Sequence, residues 1–503
     1  MTAGTLNIRA DASIAIGTGH VMRCLALGQA WQDAGGRVVF ATIGLTSPVE
    51  QRLRSEGIEI VKFNGAPGSV QDASQLEELA CAHHADWVVV DGYQFEAEYQ
   101  RKVKDAGLKL LFIDDNGHAK HYLADLVLNQ NAHGCEDLYQ SRAPRTKLLL
   151  GPRFALLRRE FQGWRQWKRE TVPVARKVLV TMGGSDPDNV TAIVVRALQL
   201  ASIESLEAKV VVGVSNPRIG SLERVAGQSQ ANVSVVKDAT NMPELMAWAD
   251  VAISGAGSTC WEMCLLGLPA IVIDLAENQR IVAKELDRRG VAIHLGAAGD
   301  ATPEKIVSKL RWLLDSIETR TALSMRAREL VDGNGAERVV SAMRGEMLQL
   351  RRVEEGDCRL LWEWANDPVV RAASFSSEFI PWEHHQDWFN AKLADPNAVL
   401  YLAANPDNVS IGQVRYQVEG PRAQLSVSLA PEFRGKGYGN RIVAMATEEL
   451  FRSTSVTTID AYVKAANEAS LQLFLRAGFK QQDSRTIHGQ QAVHFILQKN
   501  GNS

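Results

Sequence analysis

A glycine turn that carries a histidine stands near the beginning of the chain, at Gly17-Thr18-Gly19-His20. Val21, Cys24 and Gly28 follow it at helical spacing, so His20 is predicted to lie at the start of a helix. The positive end of a helix dipole disfavours a protonated imidazole at that place. The pattern therefore indicates a neutral base that faces an anionic substrate, and the alternative is that His20 only caps or packs the helix.

Two further glycine-rich turns occur at residues 182–186 and 254–259. Backbone N–H groups in such a turn at a helix start can bind phosphate, because no side chain blocks its approach. Glu262 follows the second turn. Its carboxylate either accepts hydrogen bonds from ribose hydroxyls or completes a capping box with Thr259, and the spacing alone does not separate these roles.

A third glycine turn, at residues 434–439, is basic. It follows a strand-like segment at 424–429 and precedes a helical pattern at 440–451. Consecutive backbone N–H groups, together with Arg434 and Lys436, would form a cradle for a pyrophosphate.

The segments that flank the glycine turns at 17–20, 182–186 and 254–259 alternate between short β-branched runs and helical patterns. The candidate strands are residues 37–41, 58–63, 86–90, 109–113 and 125–128, then 177–181, 209–213, 233–236, 251–254 and 270–274. This alternation predicts an α/β fold with two doubly wound parallel sheets and a cleft between them. Ligands collect at the carboxyl ends of such strands, where polar residues stand at 91–93, 114–116 and 129–131, although each alone is more often a loop former.

A chain of 503 residues is too long for one core, and we predict three domains, at residues 1–158, 159–347 and 348–503. The 55 Lys and Arg residues nearly balance 58 Asp and Glu, which argues against nucleic acid or a membrane surface as partner. Scattered cysteines and an N-terminus without a signal pattern predict a cytoplasmic protein. No metal is expected, Asp114 and Asp115 being the nearest candidate ligands.

The first two thirds of the chain resemble the UDP-sugar hydrolases of pseudaminic acid biosynthesis, which are similar to two-domain, glycosyltransferase-B-like enzymes of peptidoglycan synthesis. The resemblance rests on the 9–24 stretch, the 183–185 and 254–262 runs and residues 277–279. It implies two Rossmann-like domains, with His20 as the base or water-orienting residue and Tyr93 as a helper. The implied substrate contacts are Arg9, Asp11, Gly17, Gly19, Gly184, Ser185, Gly255, Gly257, Ser258, Thr259, Glu262, Asn278 and Gln279.

Residues from about 350 to 498 resemble the GNAT acetyltransferases, through the 434–439 turn and the later run Asn467 to Phe479. The resemblance implies a C-terminal α+β domain that uses acetyl-CoA, with splayed strands near Ser428. The implied cofactor contacts are Leu429, Arg434, Gly435, Lys436, Gly437, Tyr438, Gly439, Asn467 and Ser470. Phe474 departs from the family, because many members have there a tyrosine that protonates the leaving thiolate; Tyr462, Tyr438 or water must replace it, or no acid is needed.

The tryptophan- and histidine-rich segment at 362–388 resembles an acetyltransferase that modifies the 4-amino group of the UDP-sugar in the same pathway. Together the two resemblances imply a bifunctional enzyme that acetylates a UDP-4-amino-4,6-dideoxy sugar and then hydrolyses the product to UDP and free sugar. Two alternatives stay open: a UDP-sugar-dependent glycosyltransferase fused to the acetyltransferase, or a UDP-sugar-binding module that serves it.

Overall fold

Short runs of valine, isoleucine and leucine form the first parallel sheet. The computed structural model describes residues 4–13, 17–183, 186, 188–213, 216, 218–227, 232–345, 348–405, 408–487 and 489–499. The first strands are β1 (Thr5–Ala10), β2 (Arg37–Thr42), β3 (Glu59–Lys62), β4 (Ala85–Asp91), β5 (Leu110–Ile113), β6 (Leu126–Asn129) and β7 (Lys147–Leu150). They pair in parallel in the order β3-β2-β1-β4-β5-β6-β7. The helices between them are α1 (Gly19–Asp33), α2 (Ser47–Ser55), α3 (Val70–Ala82) and α4 (Ala97–Asp105).

A second parallel sheet follows in the same compact unit, which comprises residues 1–344. Its strands are β8 (Lys177–Thr181), β9 (Glu207–Val212), β10 (Asn232–Lys237), β11 (Val251–Gly255), β12 (Ala270–Asp274) and β13 (Ile293–Ala297), in the order β10-β9-β8-β11-β12-β13. Its helices are α5 (Val190–Leu200), α6 (Ile219–Gly227), α7 (Met242–Trp248), α8 (Thr259–Leu265), α9 (Glu277–Arg288), α10 (Pro303–Asp315), α11 (Ile317–Leu330) and α12 (Gly335–Met343). The prediction of two parallel α/β sheets is confirmed.

Helix α12 returns from the second sheet and packs against α1 of the first half. Gly335, the first residue of α12, also lies close to the chain after β7, since a Cβ there would lie 2.2 Å from the carbonyl oxygen of Ala155. The pattern of β-branched runs gave no sign of this return. The boundaries at residues 158 and 347 stay predictions.

The remaining residues, 345–503, form a second unit around a mixed sheet. Its elements are β14 (Gln349–Arg352), α13 (Cys358–Ala365), α14 (Pro368–Ala373), α15 (Trp382–Ala394), β15 (Ala398–Ala404), β16 (Ser410–Glu419), β17 (Arg422–Leu429), α16 (Tyr438–Ser453), β18 (Thr458–Lys464), α17 (Glu468–Arg476), β19 (Lys480–Ile487) and β20 (Gln490–Gln498). The strand order is β14-β15-β16-β17-β18-β20-β19. This α+β architecture agrees with the expected third domain.

Strands β17 and β18 are parallel neighbours that separate along their length. Their pairing runs from Arg422 opposite Thr458 to Leu425 opposite Ala461, whereas the strands continue to Leu429 and Lys464. The last residues of both strands therefore leave a gap in the sheet, which includes Ser428 and Leu429. Among the described residues, no helix combines the length and the apolar character needed to cross a membrane.

Arg9 and Asp11, expected to contact the substrate, form a buried network within the first half. Arg9 is 0% exposed, and its Nε and Nη2 donate to the two carboxylate oxygens of Asp72 at 2.9 and 2.8 Å. Asp11 accepts from the hydroxyl of Thr42 and the backbone N–H of Ile43, at 2.9 and 2.7 Å. Neither residue is among those that line the cavity described below, and their direct contact with the substrate stays a prediction. Sequence reasoning missed this because Asp72 lies on a separate helix.

Replacing Asp72 by alanine should destabilise the protein strongly, because Arg9 would keep a buried charge without its main partner. The expected cost is about 3–5 kcal/mol, the range for breaking a buried ion pair. Calorimetric unfolding of the full chain should show it as a lower transition temperature. Arg37→Ala is the matched control: it removes an exposed pair with Glu59, and we expect it to cost less than about 1 kcal/mol. Equal shifts for the two variants would contradict the assignment.

Candidate active site

A cavity of about 680 Å³ lies between the carboxyl ends of the two parallel sheets. The first half contributes the turn at residues 17–20, Tyr93, Asp115 and Arg158 to its wall. The second half contributes residues 254–259, Glu262, Asn278 and Gln279. Parallel sheets place their ligands at this end, and the volume suits a small organic molecule. The fold thus brings most of the residues expected at a substrate site into one cavity.

His20 lies in the first turn of α1, as its glycine turn predicted, and it contacts a carboxylate. Its Nδ1 is 2.7 Å from Oδ1 of Asp91 at the end of β4. Because an ionised carboxylate only accepts, we assign the proton to Nδ1, which leaves Nε2 as the ring nitrogen able to act as a base. Besides the helix dipole, the ring of His20 therefore meets a buried carboxylate, which the glycine turn and the helical spacing did not indicate.

Arg23 binds the carboxylate of Asp91 in a bidentate contact. Its Nε and Nη2 each donate to an oxygen of Asp91 at 2.7 Å, and its Nη1 donates to Oδ1 of Asp115, also at 2.7 Å. Burial opposes ionisation of Asp91, but the charge of Arg23 and the hydrogen bonds outweigh it and hold the pKa of this carboxyl well below its usual range. Asp91 is therefore a carboxylate at neutral pH.

Tyr93 connects the histidine region to the opposite wall. Its ring meets the imidazole of His20 edge to face, with centroids 5.2 Å apart, and its hydroxyl donates to Oδ2 of Asp115 at 2.9 Å. Burial and the charge of Asp115 raise the pKa of Tyr93 above its usual value. The amide of Asn278, at the start of α9, donates to the same hydroxyl at 2.9 Å. Tyr93 therefore stays protonated and acts as a donor.

The glycine turn of the second half faces the turn that carries His20. A Cβ added to Gly19 would lie 4.0 Å from Oγ of Ser258, which precedes α8. A Cβ at Gly255 would come within 2.7 Å of the Leu275 side chain, which would have to move, whereas Gly257 has ordinary spacing to Gln279. Gly184 and Ser185, expected at the same cavity, lie outside the described residues.

Glu262 lines the cavity and binds an arginine. Its Oε1 accepts from Nη2 of Arg158 at 2.8 Å, and Arg158 also contacts Glu160 at 2.9 Å. Burial opposes the charge of Arg158, but the charges of Glu262 and Glu160 raise its pKa. In the part of the chain that the structure describes, the N-cap of α8 makes no side-chain capping bond, so the capping-box interpretation of Thr259 and Glu262 is not realised. Contact between Glu262 and a ribose stays a prediction.

Gln279 also lines the cavity, but its carbonyl oxygen accepts from the backbone N–H of Leu275 at 3.1 Å. That bond stabilises the loop between β12 and α9. Its expected contact with sugar or phosphate stays a prediction.

The basic glycine turn of the second unit leads into α16. Gly435 and Gly437 have φ values of +71° and +81°, and an added Cβ at either would meet no described atom within 4 Å. Gly439 is different, because its Cβ would lie 2.5 Å from the side chain of Leu473. The first two glycines thus combine a left-handed backbone with open space, and the third allows close packing of α17 on α16.

Arg434 has protein partners in this turn. Its Nε donates to the carbonyl of Leu429 at 3.1 Å, and its Nη1 lies 2.8 Å from Asp367. Its Nη2 has no hydrogen-bond partner among the described residues, and Lys436 is exposed. Anion binding by this turn stays a prediction. Asn467 accepts from the backbone N–H of Ser470 at 3.1 Å and so caps α17; whether it also contacts a cofactor stays a prediction.

Phe474 is 4% exposed and packs against Phe479 and Phe495. Tyr462 follows Ala461, the last residue of β18 that pairs with β17. Its ring stacks on His494 with the centroids 4.6 Å apart, and its hydroxyl accepts from Arg485 at 3.3 Å. It therefore lies beside the gap between β17 and β18.

No group of three or more described His, Cys, Asp or Glu residues is arranged to hold a metal ion. The carboxylate of Asp114, one of the candidate ligands, accepts from Tyr122 and from the backbone N–H of Asn116. Asp115 is occupied by Arg23 and Tyr93. The expectation that no metal is needed stays a prediction.

Four polar residues of the cavity region were not among the predicted site residues: Arg23, Asp91, Asp115 and Arg158. Arg23 follows His20 by one helical turn, so the two share a helix face. Asp91 and Asp115 stand at strand ends, where the sequence did indicate polar side chains. Combining helix spacing with strand ends could have found these three, whereas the pairing of Arg158 with Glu262 had no local signal.

Two family descriptions match the chain. Residues 178–339 match the "Glycosyltransferase family 28 C-terminal domain", and residues 347–480 match the "Acetyltransferase (GNAT) domain". The first match falls on the second parallel sheet and includes the 254–259 turn, Glu262 and Asn278. The second falls on the mixed sheet and includes the basic glycine turn.

Similar proteins cover one or both parts. An uncharacterized protein of Methanocaldococcus jannaschii is 22% identical over 93% of this chain and 95% of its own length. The spore coat polysaccharide biosynthesis protein SpsG of Bacillus subtilis is 26% identical over 67% of this chain and 97% of its own. The UDP-2,4-diacetamido-2,4,6-trideoxy-beta-L-altropyranose hydrolase of Campylobacter jejuni is 26% identical over 57% and 97%. The chain is therefore an enzyme that joins a region homologous to a UDP-sugar hydrolase to a C-terminal GNAT acetyltransferase domain.

Proposed function

We propose that this enzyme catalyses two consecutive steps on one UDP-sugar. The second unit transfers an acetyl group from acetyl-CoA to the amine of a UDP-4-amino-4,6-dideoxy sugar. The first unit hydrolyses the resulting UDP-2,4-diacetamido-2,4,6-trideoxy-β-L-altropyranose to UDP and free sugar. The observation that carries the hydrolytic step is the pair His20 and Asp91 at a cavity whose other wall is a glycine turn.

In the hydrolytic step, water attacks the anomeric carbon while Nε2 of His20 takes its proton. The bond between that carbon and the diphosphate oxygen breaks, and UDP leaves as an anion. Asp91 stabilises the imidazolium, and it is oriented for this by Arg23. The N–H groups of the 254–259 turn and the hydroxyls of Ser258 and Thr259 would stabilise the departing charge.

In the acetyl transfer step, the sugar amine attacks the thioester carbonyl and forms the amide C–N bond while the C–S bond breaks. CoA leaves as the thiolate, and the proton that the amine loses converts it to the thiol. Two observations support acetyl-CoA as the donor. The separation of β17 from β18 beyond Leu425 leaves backbone groups of Ser428 and Leu429 for the thioester arm. The open glycine turn at 435–437 offers backbone N–H groups to the pyrophosphate.

The hydrolytic proposal is tested by incubating the full chain with the UDP-2,4-diacetamido sugar and measuring UDP release without any acceptor. Release in water alone is expected. Acetylation is tested separately by mass spectrometry after incubation with acetyl-CoA and the UDP-4-amino sugar. Absence of both products would reject both assignments.

A glycosyltransferase is the second candidate for the first unit, because residues 178–339 match a glycosyltransferase family. In that case UDP release would stay at background until a sugar or lipid acceptor is added. The same assay separates the two candidates.

Gly437→Val should reduce acetyl transfer selectively. A β-branched side chain is strained at a φ of +81°, and it would fill the space proposed for the pyrophosphate. Loss of one charge-assisted hydrogen bond predicts a fall in kcat/KM for acetyl-CoA of about tenfold to hundredfold. UDP release from the diacetamido sugar should be unchanged.

Gly420→Val is the matched control. Gly420 has a φ of +60° and similarly open surroundings, but it lies in the turn between β16 and β17. It carries comparable backbone strain and should retain acetyl-CoA affinity. Equal losses of kcat/KM for acetyl-CoA in the two variants would attribute the effect to folding. They would contradict the proposal that the turn at 434–439 binds the pyrophosphate.

A further inference from the structure

A continuous path of hydrogen-bonded side chains runs from α9 of the second half to the base of the first half. Its members, in spatial order, are Asn278, Tyr93, Asp115, Arg23, Asp91 and His20. We call it the Asn278–His20 path. Asn278 belongs to the second half and Tyr93 to the first, so the path crosses the cavity between the two halves of the first unit.

The polarity of each bond follows from the chemistry of the groups. The Asn278 amide donates to the Tyr93 hydroxyl, which in turn donates to Asp115, each at 2.9 Å. Asp115 and Asp91, as carboxylates, can only accept from Arg23. Nδ1 of His20 lies 3.2 Å from Nη2 of Arg23, a donor, and 2.7 Å from Oδ1 of Asp91, an acceptor. The shorter contact with the carboxylate assigns the proton to Nδ1 and leaves Nε2 unprotonated.

Exposure changes sharply along the path. Asn278 is exposed and Tyr93 is 38% exposed, whereas Arg23 and Asp91 are 7% and 1% exposed. The hydrogen bond between Asn278 and Tyr93 can therefore be made or broken when the two halves approach or separate, or when a ligand enters. The hydrogen bonds that Asp91 accepts from Arg23 and His20 are shielded from water and cannot easily exchange partners.

The guanidinium of Arg23 makes the inner part of the path rigid. Its donors lie in one plane with fixed directions, and three of them are used, two on Asp91 and one on Asp115. A displacement of Asp115 would therefore rotate the guanidinium plane of Arg23, which binds both oxygens of Asp91. Asn131 restrains Asp115 further, since its amide donates to Oδ1 at 2.7 Å.

We propose that Arg23 and Asp115 are positioning residues that transmit the contact between Asn278 and Tyr93 to the imidazole of His20. The base is then correctly aimed only when α9 lies against Tyr93, so that water attack is linked to closure around the substrate. This inference rests on the proposed hydrolysis. It goes further by giving a role to residues that do not touch the reacting atoms.

A double-mutant cycle tests the proposal in the full chain. Tyr93→Phe removes the hydroxyl in the middle of the path, and Arg23→Lys keeps the charge but removes the planar fork. Each should lower kcat for UDP release about tenfold, the usual scale for a group that orients another functional group, with little change in KM. Because both changes interrupt one path, the double variant should also lose about tenfold rather than the hundredfold product.

Arg52→Lys serves as the control for the cycle. Arg52 lines the same cavity but pairs with Glu56 and Glu160, outside the path. Its effect should multiply with that of Tyr93→Phe. Thermal unfolding and UDP affinity of every variant report whether folding and the nucleotide site are intact, and Asp115→Asn, which keeps the size of the side chain, repeats the cycle if Arg23→Lys does not fold.

The outcomes are distinguishable. Non-multiplicative losses in kcat for Tyr93→Phe with Arg23→Lys or with Asp115→Asn would support the inference. Multiplicative losses in a chain that hydrolyses the sugar would overturn it, as would losses confined to KM or to stability. A parental chain that releases no UDP would instead reject the proposed hydrolysis, on which the inference depends.

Discussion

His20→Ala is expected to lower kcat for acceptor-independent UDP release at least about a hundredfold, the contribution of a general base. The reason is that His20 lines the cavity and that its Nδ1 is bound by Asp91, which leaves Nε2 as the nitrogen able to accept a proton. The variant removes the base but leaves the glycine turns that would bind the diphosphate. We therefore expect UDP affinity, measured by calorimetric titration, to change little.

His121→Ala is the control for this substitution. The Nδ1 of His121 contacts Ser141, and His121 does not line the cavity. UDP release should stay at the parental rate. If His20→Ala hydrolyses the substrate as fast as the parental chain, the base lies elsewhere and the proposed mechanism is wrong.

Asp91→Asn is expected to lower kcat about 10²–10⁴-fold, but by no more than His20→Ala, because Asp91 acts only through the histidine base that it orients. The amide keeps the size of the side chain but can donate its own proton to Nδ1. That bond favours the tautomer with a proton on Nε2, which cannot accept one from water. The imidazolium would also lose the adjacent negative charge.

Asp72→Asn is the matched control, because Asp72 is also buried and also bound by two donors of an arginine. Both variants should lower the unfolding temperature, since each weakens a buried ion pair. Only Asp91→Asn should lower kcat by orders of magnitude in the fraction that remains folded. Comparable kcat values in the two variants would remove Asp91 from the mechanism.

The sequence was sufficient to predict the architecture of the parallel sheets. Strands such as β4 and β12 are buried on both faces over most of their length, so each contains a continuous apolar run, at residues 87–90 and 270–273, that ends at an aspartate. The glycine turn before α1 was equally clear, because glycine followed by helical spacing is a local signal. These features depend on neighbouring residues and survive without knowledge of distant contacts.

The partners of the buried charged side chains could not be predicted from the sequence. Arg9 and Asp11 were expected at the substrate, yet packing places Arg9 against Asp72 on α3. Glu262 was left between a capping box and a ribose contact, and its observed partner is Arg158. A charged side chain can reach several partners along the chain, and the arrangement of the sheets decides which of them it meets.

By itself, then, the sequence determined the strands, the glycine turns and the position of His20 at a helix start, because each depends on local backbone conformation and side-chain periodicity. Only the tertiary structure decided that Asp91 binds His20 and Arg23, that Asn278 reaches Tyr93, and that α12 returns to α1. These contacts join residues far apart in the chain, and they form because burying two amphipathic layers of helices fixes where the ends of the strands meet.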